Sequence, residues 1–427
     1  MRHSYSLKYF KLFLSICFLA LLSFSTNGQD STKRLDSFFK IAVENNPKLL
    51  AEYKAYEAAL QKLPQSSSLS DPNLSIGYFV SPVETRVGPQ LARFSLTQMF
   101  PWFGTLKAQE NVVALEAESN FQSFLNVRNK LYWEVASAYY PLYELRKLQQ
   151  IEKENVEILK SYKALAERKF SSSKGNMVDV LRVDIMMEDA KTNLEILEQK
   201  EKPLIRAFQN VINKEVEVEI PETLNSIDFE LSLVKDSLFD AHPLIQMLEY
   251  KKQAAEANES LAQKQGLPKI GLGLDYVIVG ERQDMDLADN GKDIFMPMVS
   301  ISLPIFRKKY TAQKKEAQLM QESFELQKQN LKNQLDTDYE SALFEIDKQL
   351  ELMNLYERQV KKTESTLEIL WKTYSASGTD FEEVLRIQQQ FLKYRKLKAT
   401  AEAEFNIKIE RYNYLISRQS FNPPLEN

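Results

Sequence analysis

Apolar residues recur with helical spacing along most of this chain, and in two short stretches they alternate instead. From 105 to 169 there is one proline and no glycine, in a dense mix of Glu, Lys, Leu, Ala and Gln, residues that favour helix. A helix of that span rises about 100 Å at about 1.5 Å per residue. Pro141 should kink it, because the helical pattern continues on both sides. A matching segment, 308–374, has neither glycine nor proline. Within it Tyr339, Ile346, Met353, Val360, Leu367 and Tyr374 fall seven apart, and Leu335, Ala342 and Leu350 supply most of a second stripe. That period marks a coiled coil with left-handed supercoiling. Return helices are predicted over 178–213, with a kink at Pro203, and over 381–416. Two more, over 35–63 and 234–265, precede the alternating stretches.

The alternation is clearest in 73–80, where Leu74, Ile76, Tyr78 and Val80 share one face and Asn73, Ser75, Gly77 and Phe79 the other. In 270–279, Ile270, Leu272, Leu274, Tyr276 and Ile278 oppose Gly271, Gly273 and Asp275. Each stretch is followed by a polar, turn-rich segment and a second candidate strand, about 91–100 and 294–303. The spacing predicts two hairpins with long loops, 73–100 and 270–303.

The two halves echo each other. Asn46-Pro47 and His242-Pro243 stand 196 residues apart, Pro101 and Pro304 203 apart, and Asp179-Val180-Leu181-Arg182 and Glu383-Val384-Leu385-Arg386 204 apart. Lys169-Phe170-Ser171-Ser172-Ser173 likewise matches Thr373-Tyr374-Ser375-Ala376-Ser377. This order predicts a duplicated unit of helix, hairpin, long helix, turn and return helix. Its repeats run over 29–221 and 222–419, with a tail at 420–427.

Composition removes several function classes. Arg2, Lys8 and Lys11, an apolar run over 12–22, and small polar residues to Gly28 have the layout of a secretory signal, 1–28, with a cut before Gln29. The sole cysteine, Cys17, lies inside that run, so the exported chain would hold no disulfide and no thiolate. A net charge of −4 does not point to nucleic acid. Of the two histidines, His3 belongs to the signal, and His242 precedes a proline and an apolar helical pattern, where it reads as a helix-start residue. No catalytic residues, cofactor site or metal site are predicted.

No run of 18 apolar residues follows Gln29, so a membrane-embedded form must be a β-barrel. Strands of about ten residues suit a tilted crossing, but four strands cannot close, because the smallest bacterial barrels need about eight. Several chains must share one barrel. The pattern alone permits a dimer of eight strands or a trimer of twelve.

At this point the chain resembles the TolC family of outer-membrane efflux proteins over 29–419. The resemblance lies in the order of elements, in Thr97-Gln98-Met99-Phe100-Pro101-Trp102-Phe103-Gly104 leaving the first hairpin, and in the stretch from Tyr374-Ser375-Ala376-Ser377 through Gly378-Thr379-Asp380-Phe381-Glu382-Glu383-Val384-Leu385. The Phe-Pro-Trp-Phe-Gly junction resembles that family's heavy-metal branch. The likeness implies a mainly α fold with a small β part: a homotrimer with a twelve-stranded barrel in the outer membrane of a Gram-negative cell, continuous with a twelve-helix tunnel in the periplasm. It also implies an inner-membrane pump and a periplasmic adaptor as partners, and a channel rather than an enzyme.

The same likeness places the turns 171–176 and 375–380 at a tip that closes at rest and docks the adaptor. Candidate docking residues are Ser171, Ser172, Ser173, Lys174, Gly175, Ser375, Ser377, Gly378 and Thr379. Asp380, Glu382 and Glu383, with Asp179 from the other repeat, are candidates for a gate, since three symmetry copies would form an acidic ring around a pore. Leu74, Ile76, Tyr78, Leu272, Leu274, Tyr276 and Ile278 should face lipid, and Trp102 and Phe103 should lie where barrel meets periplasm. The rival reading is a periplasmic coiled-coil adaptor or scaffold without a barrel.

Overall fold

The computed structural model describes residues 31–221, 224, 239–284, 288–377 and 381–417. The predicted signal, the tail from 420, and the tip residues Gly378, Thr379 and Asp380 lie outside the described residues. In chain order the elements begin with α1 (Ser31–Asn45), α2 (Pro47–Leu60), α3 (Lys62–Ser67), β1 (Asn73–Thr85) and β2 (Gly88–Phe100). There follow α4 (Thr105–Ser171), α5 (Met177–Ile212), α6 (Pro243–Gln265), β3 (Lys269–Val279), β4 (Ile294–Ser302), α7 (Lys308–Ser377) and α8 (Phe381–Leu415). The order helix, hairpin, long helix, return helix thus occurs twice.

The two long helices are continuous. The α4 helix holds 67 residues with Pro141 inside it, and α7 holds 70. Each extends about 100 Å at about 1.5 Å per residue. The stretch predicted as one helix over 35–63 is instead three. Pro47 disfavours the helical conformation at the residue before it, and Asn46 is extended (φ −66°, ψ 119°). Its side chain then caps α2, accepting from the Lys48 and Leu49 N–H groups at 3.0 and 3.1 Å. His242-Pro243 repeats the device. His242 Nδ1 accepts from the Leu244 N–H at 3.2 Å, and α6 starts at Pro243; 234–238 of the predicted helix lie outside the described residues.

The first hairpin also differs from expectation. Its strands run to Thr85 and from Gly88, so the connection is tight rather than a long loop. Pro82 is accommodated because the register shifts between Tyr78 and Val83, on an edge strand whose outer N–H groups have no ladder partner.

Side by side, the elements form four columns. The four strands make one antiparallel sheet in chain order, β1-β2-β3-β4. Each strand continues into a column of helix. Column one holds α2, α3 and β1 at the sheet end and α5 at the tip end. Column two is β2 with α4, and column three holds α6 and β3 at the sheet end and α8 at the tip end. Column four is β4 with α7. Packing follows this order: α4 lies between α2 or α5 on one side and α6 or α8 on the other, and α7 packs on α6 and α8.

Three apolar clusters hold the columns together. Leu35, Phe39, Leu131, Val135, Tyr139, Tyr140, Phe208 and Ile212 join α1, α4 and α5 midway along the rod. Leu335, Tyr339, Ala342, Ile346, Phe405, Ile409 and Tyr412 join α7 to α8. Tyr162, Val183, Tyr374, Phe381 and Val384 close the tip end. The seven-residue stripe of α7 is buried at Tyr339, Ile346 and Tyr374, whereas Met353, Val360 and Leu367 between them are only half-buried.

Candidate channel surfaces

Register sorts the sheet into two faces. On one, Leu74, Leu96, Leu274 and Pro297 form a row across all four strands. Ile76, Phe94, Tyr276 and Phe295 form the next row. Leu272 and Val299 extend this apolar face toward the helices. Leu74, Ile76, Tyr78, Leu272 and Tyr276 are exposed, and Leu274 and Ile278 are half-buried on the same face. The sequence reading had left out Phe94, Leu96, Phe295, Val299 and Ile301. Their strands alternate too, but with methionines at polar positions and Pro297 at an apolar one, which blurs the signal.

The opposite face is built of small and polar groups: Ser75, Gly77, Ser95, Thr97, Gly271, Gly273 and Ser300, with Met99, Met296 and Met298. Gly271 leaves room for its neighbours there. A Cβ at that position would clash with Ser300 Oγ and lie 2.7 Å from Met99 Sδ. Asp275 sits on this face, fully buried, forming an ion pair with Arg93 and accepting a hydrogen bond from Ser95 Oγ.

Where the strands hand over to helices, both hairpins end in a proline followed by an exposed apolar pair. Trp102 and Phe103 follow Pro101, their rings 6.0 Å apart, and Gly104 takes a positive φ of 76° at the start of α4. Ile305 and Phe306 follow Pro304. Ile305 is 71% exposed, and the sequence reading missed this second pair.

At the far end, the turn between α4 and α5 is tightly made. Ser172 N–H donates to Arg168 O, Ser173 takes a positive φ of 59°, and Lys174 N–H donates to Lys169 O at 2.8 Å. Gly175 lies so close to this turn that a Cβ there would be 2.9 Å from Lys169 Cβ. Asn176 then caps α5, its Oδ1 accepting from the Val178 N–H at 3.1 Å. Across from it, Tyr374 stacks on Phe381 at 4.4 Å and Tyr162 on Trp371 at 4.2 Å. Lys169 Nζ lies 4.9 Å from the Tyr374 ring centroid and donates to Ser375 O at 3.3 Å.

The acidic candidates divide. Glu382 pairs with Arg182 at 2.8 Å, joining the starts of α5 and α8, and Glu383 pairs with Arg386 on its own helix. The Arg386 hydrogen bond holds the Glu383 carboxyl below its ordinary range. Burial raises Asp179 above the usual aspartate value, against the opposing pull of Arg182. Burial also pushes the Tyr374 hydroxyl up to about 12, with the Asp179 charge adding to it. Thus Glu382 and Glu383 are each matched by an arginine within the chain, and the Arg182–Glu382 pairing is one that no local spacing reveals.

Residues 236–414 match the family model described as "Outer membrane efflux protein". That match lies within the second half of the chain. No curated protein matches it in sequence. Solved structures resemble it along nearly its whole length. A membrane protein from Pseudomonas aeruginosa matches with 13% identity and a TM-score of 0.74, over 90% of this chain and 93% of that one. CusC matches with 16% identity and a TM-score of 0.76, over 91% and 92%. The outer membrane protein VceC of Vibrio cholerae matches with 16% identity and a TM-score of 0.72, over 90% and 96%.

These likenesses show a fold shared along both halves of the chain. Among the described residues no group of acidic, histidine or cysteine side chains could hold a metal ion, and no helix is long and apolar enough to cross a membrane.

Proposed function

We propose that three copies of this chain close one barrel and one helical tunnel, forming a duct that an inner-membrane pump and a periplasmic adaptor supply with substrates for export. The observation that carries this reading is the pair of open edges running the length of the chain. One edge is β1 with α2 and α5, and the other is β4 with α7.

Lipid does not tolerate an open sheet edge, so β1 and β4 need partners. In a sheet of four antiparallel strands, β4 of one copy meets β1 of the next in antiparallel sense, and alternation continues around a ring. The helical edges are prepared in the same way. The α7 edge exposes Leu319, Leu326, Phe344 and Ile369, and the other edge exposes Leu50, Tyr53, Leu181 and Ile196. Two copies would give eight strands, whose interior side chains just fill it. Three copies open a passage. The apolar face then meets lipid, the face of Ser75, Thr97 and Gly273 lines the lumen, and the exposed aromatics follow the barrel rim.

The tip follows from the same reading. Ser171, Ser172, Ser173, Lys174, Gly175 and Ser375, with Ser377, Gly378 and Thr379 beyond them, dock the adaptor. Asp179, Glu382 and Glu383, with Asp380, surround the opening. The two repeats, 29–221 and 222–419, each supply two of the four columns. Purified chain added to a planar lipid bilayer should give discrete conductance steps, and a flat current at any protein concentration would contradict the duct.

A further inference from the structure

Within the part of the sheet where all four strands are in register, Arg93 and Asp275 are the only charged side chains. Both lie on the face opposite the apolar one. Asp275 is directly opposite Ser95, and Arg93 is two residues along the same strand. The carboxylate is fully buried beneath its two partners, while the Arg93 side chain is 47% exposed. Around them the wall carries Ser75, Gly77, Thr97, Gly273, Met296 and Met298, none of which is charged.

We infer that Arg93 and Asp275 cancel each other on the lumen wall, so that this stretch of the barrel favours neither cations nor anions. This rests on the reading of that face as lumen lining. A fixed charge on a narrow wall backed by lipid concentrates ions of opposite sign, because the low dielectric behind it directs the field into the pore. Three unpaired carboxylates or three unpaired guanidiniums would make such a filter. Paired, they leave only a short dipole whose field falls off within the pore.

Stability does not explain the pair. With the carboxylate desolvated and the guanidinium half in water, the pair offers little net stabilisation over neutral residues of the same size, since desolvation offsets the attraction. Breaking it has an electrical consequence of predictable sign. The tip differs from this wall, because its Arg182–Glu382 and Glu383–Arg386 pairs are largely exposed and Asp179 lies beside them.

The test is the reversal potential of the full chain in planar bilayers under a potassium chloride gradient. Arg93→Gln leaves Asp275 unopposed and should shift the permeability ratio toward cations by about tenfold, whereas Asp275→Asn should shift it as far toward anions. The Arg93→Gln/Asp275→Asn double variant should return to the native value. Ser75→Lys and Ser75→Glu, which leave the pair intact on the same face, should shift selectivity in opposite directions by similar amounts. Channels whose reversal potential ignores all four single substitutions would overturn the cancellation while leaving the duct standing. A native chain that forms no channel would overturn the lumen reading itself, and the cancellation with it.

Discussion

Phe103 and Phe306 hold the same place in the two halves of the chain, each two residues after the proline that ends a hairpin and each almost bare, at 80% and 82% exposure. Rings this bare at both strand-to-helix bends gain little from packing within one chain. At the boundary of a bilayer it has one, since amphipathic and aromatic side chains anchor there. Replacing both with serine should lower the fraction of chain recovered in the outer membrane, with each single variant losing less. Full recovery of the double variant would make these rings incidental.

The apolar face makes a sharper demand. Leu272→Arg and Leu274→Arg should each disfavour assembly by about 2–4 kcal/mol near the middle of the bilayer. Ser75→Lys, on the other face, should assemble at native yield. Equal trimer yield for all three would remove the division of the sheet into lipid and lumen sides.

His242 predicts an acid sensitivity. Burial lowers its pKa to about 4 from an ordinary 6.5, and its Nε2 is buried without a hydrogen-bond partner. Because the folded value is the lower one, the unfolded chain takes up the proton first. Stability should therefore fall as pH drops from about 6.5 towards 4. Its counterpart Asn46 caps the equivalent helix with an amide that also donates to Val211 O at 2.7 Å. His242→Asn should keep the cap and flatten that acid loss in thermal melts at pH 7, 5.5 and 4.5.

Glu410 should behave oppositely. It is buried on α8, where desolvation raises its carboxyl to about 7, with Asp36 adding to the shift and Asn413 donating a hydrogen bond that opposes it. Here the folded value exceeds the unfolded one. The group then costs nothing at pH 4 and increasingly destabilises the fold as pH rises from about 4.5 to 7. Glu410→Gln should stabilise the protein at pH 8 by on the order of 2 kcal/mol, with no gain near pH 4. A gain independent of pH would assign the effect to packing.

What was legible in the sequence followed from periodicity and from proline. The seven-residue stripe of α7 and the alternation of β1 and β3 announce themselves because each position repeats one environment. The break at Asn46-Pro47 was visible as a motif but read through as helix, because flanking helical composition outweighed one imide. The tight first hairpin was hidden by Pro82, which usually ends a strand and here sits on an open edge. The ion pairs Arg182–Glu382 and Arg93–Asp275 join residues 200 and 182 positions apart, which no local pattern encodes. Phe306 could have been found, since it follows Phe103 at the same 203-residue offset as the two prolines.

The central claim is that this chain is one part of a shared barrel and tunnel, and the mass and shape of the detergent-extracted protein test it most directly. Light scattering should give the mass of three chains, and negative-stain images should show a tapered rod well over about 100 Å long, as the rise of α4 and α7 requires. A monomer or dimer that stays in solution without detergent would contradict the shared barrel.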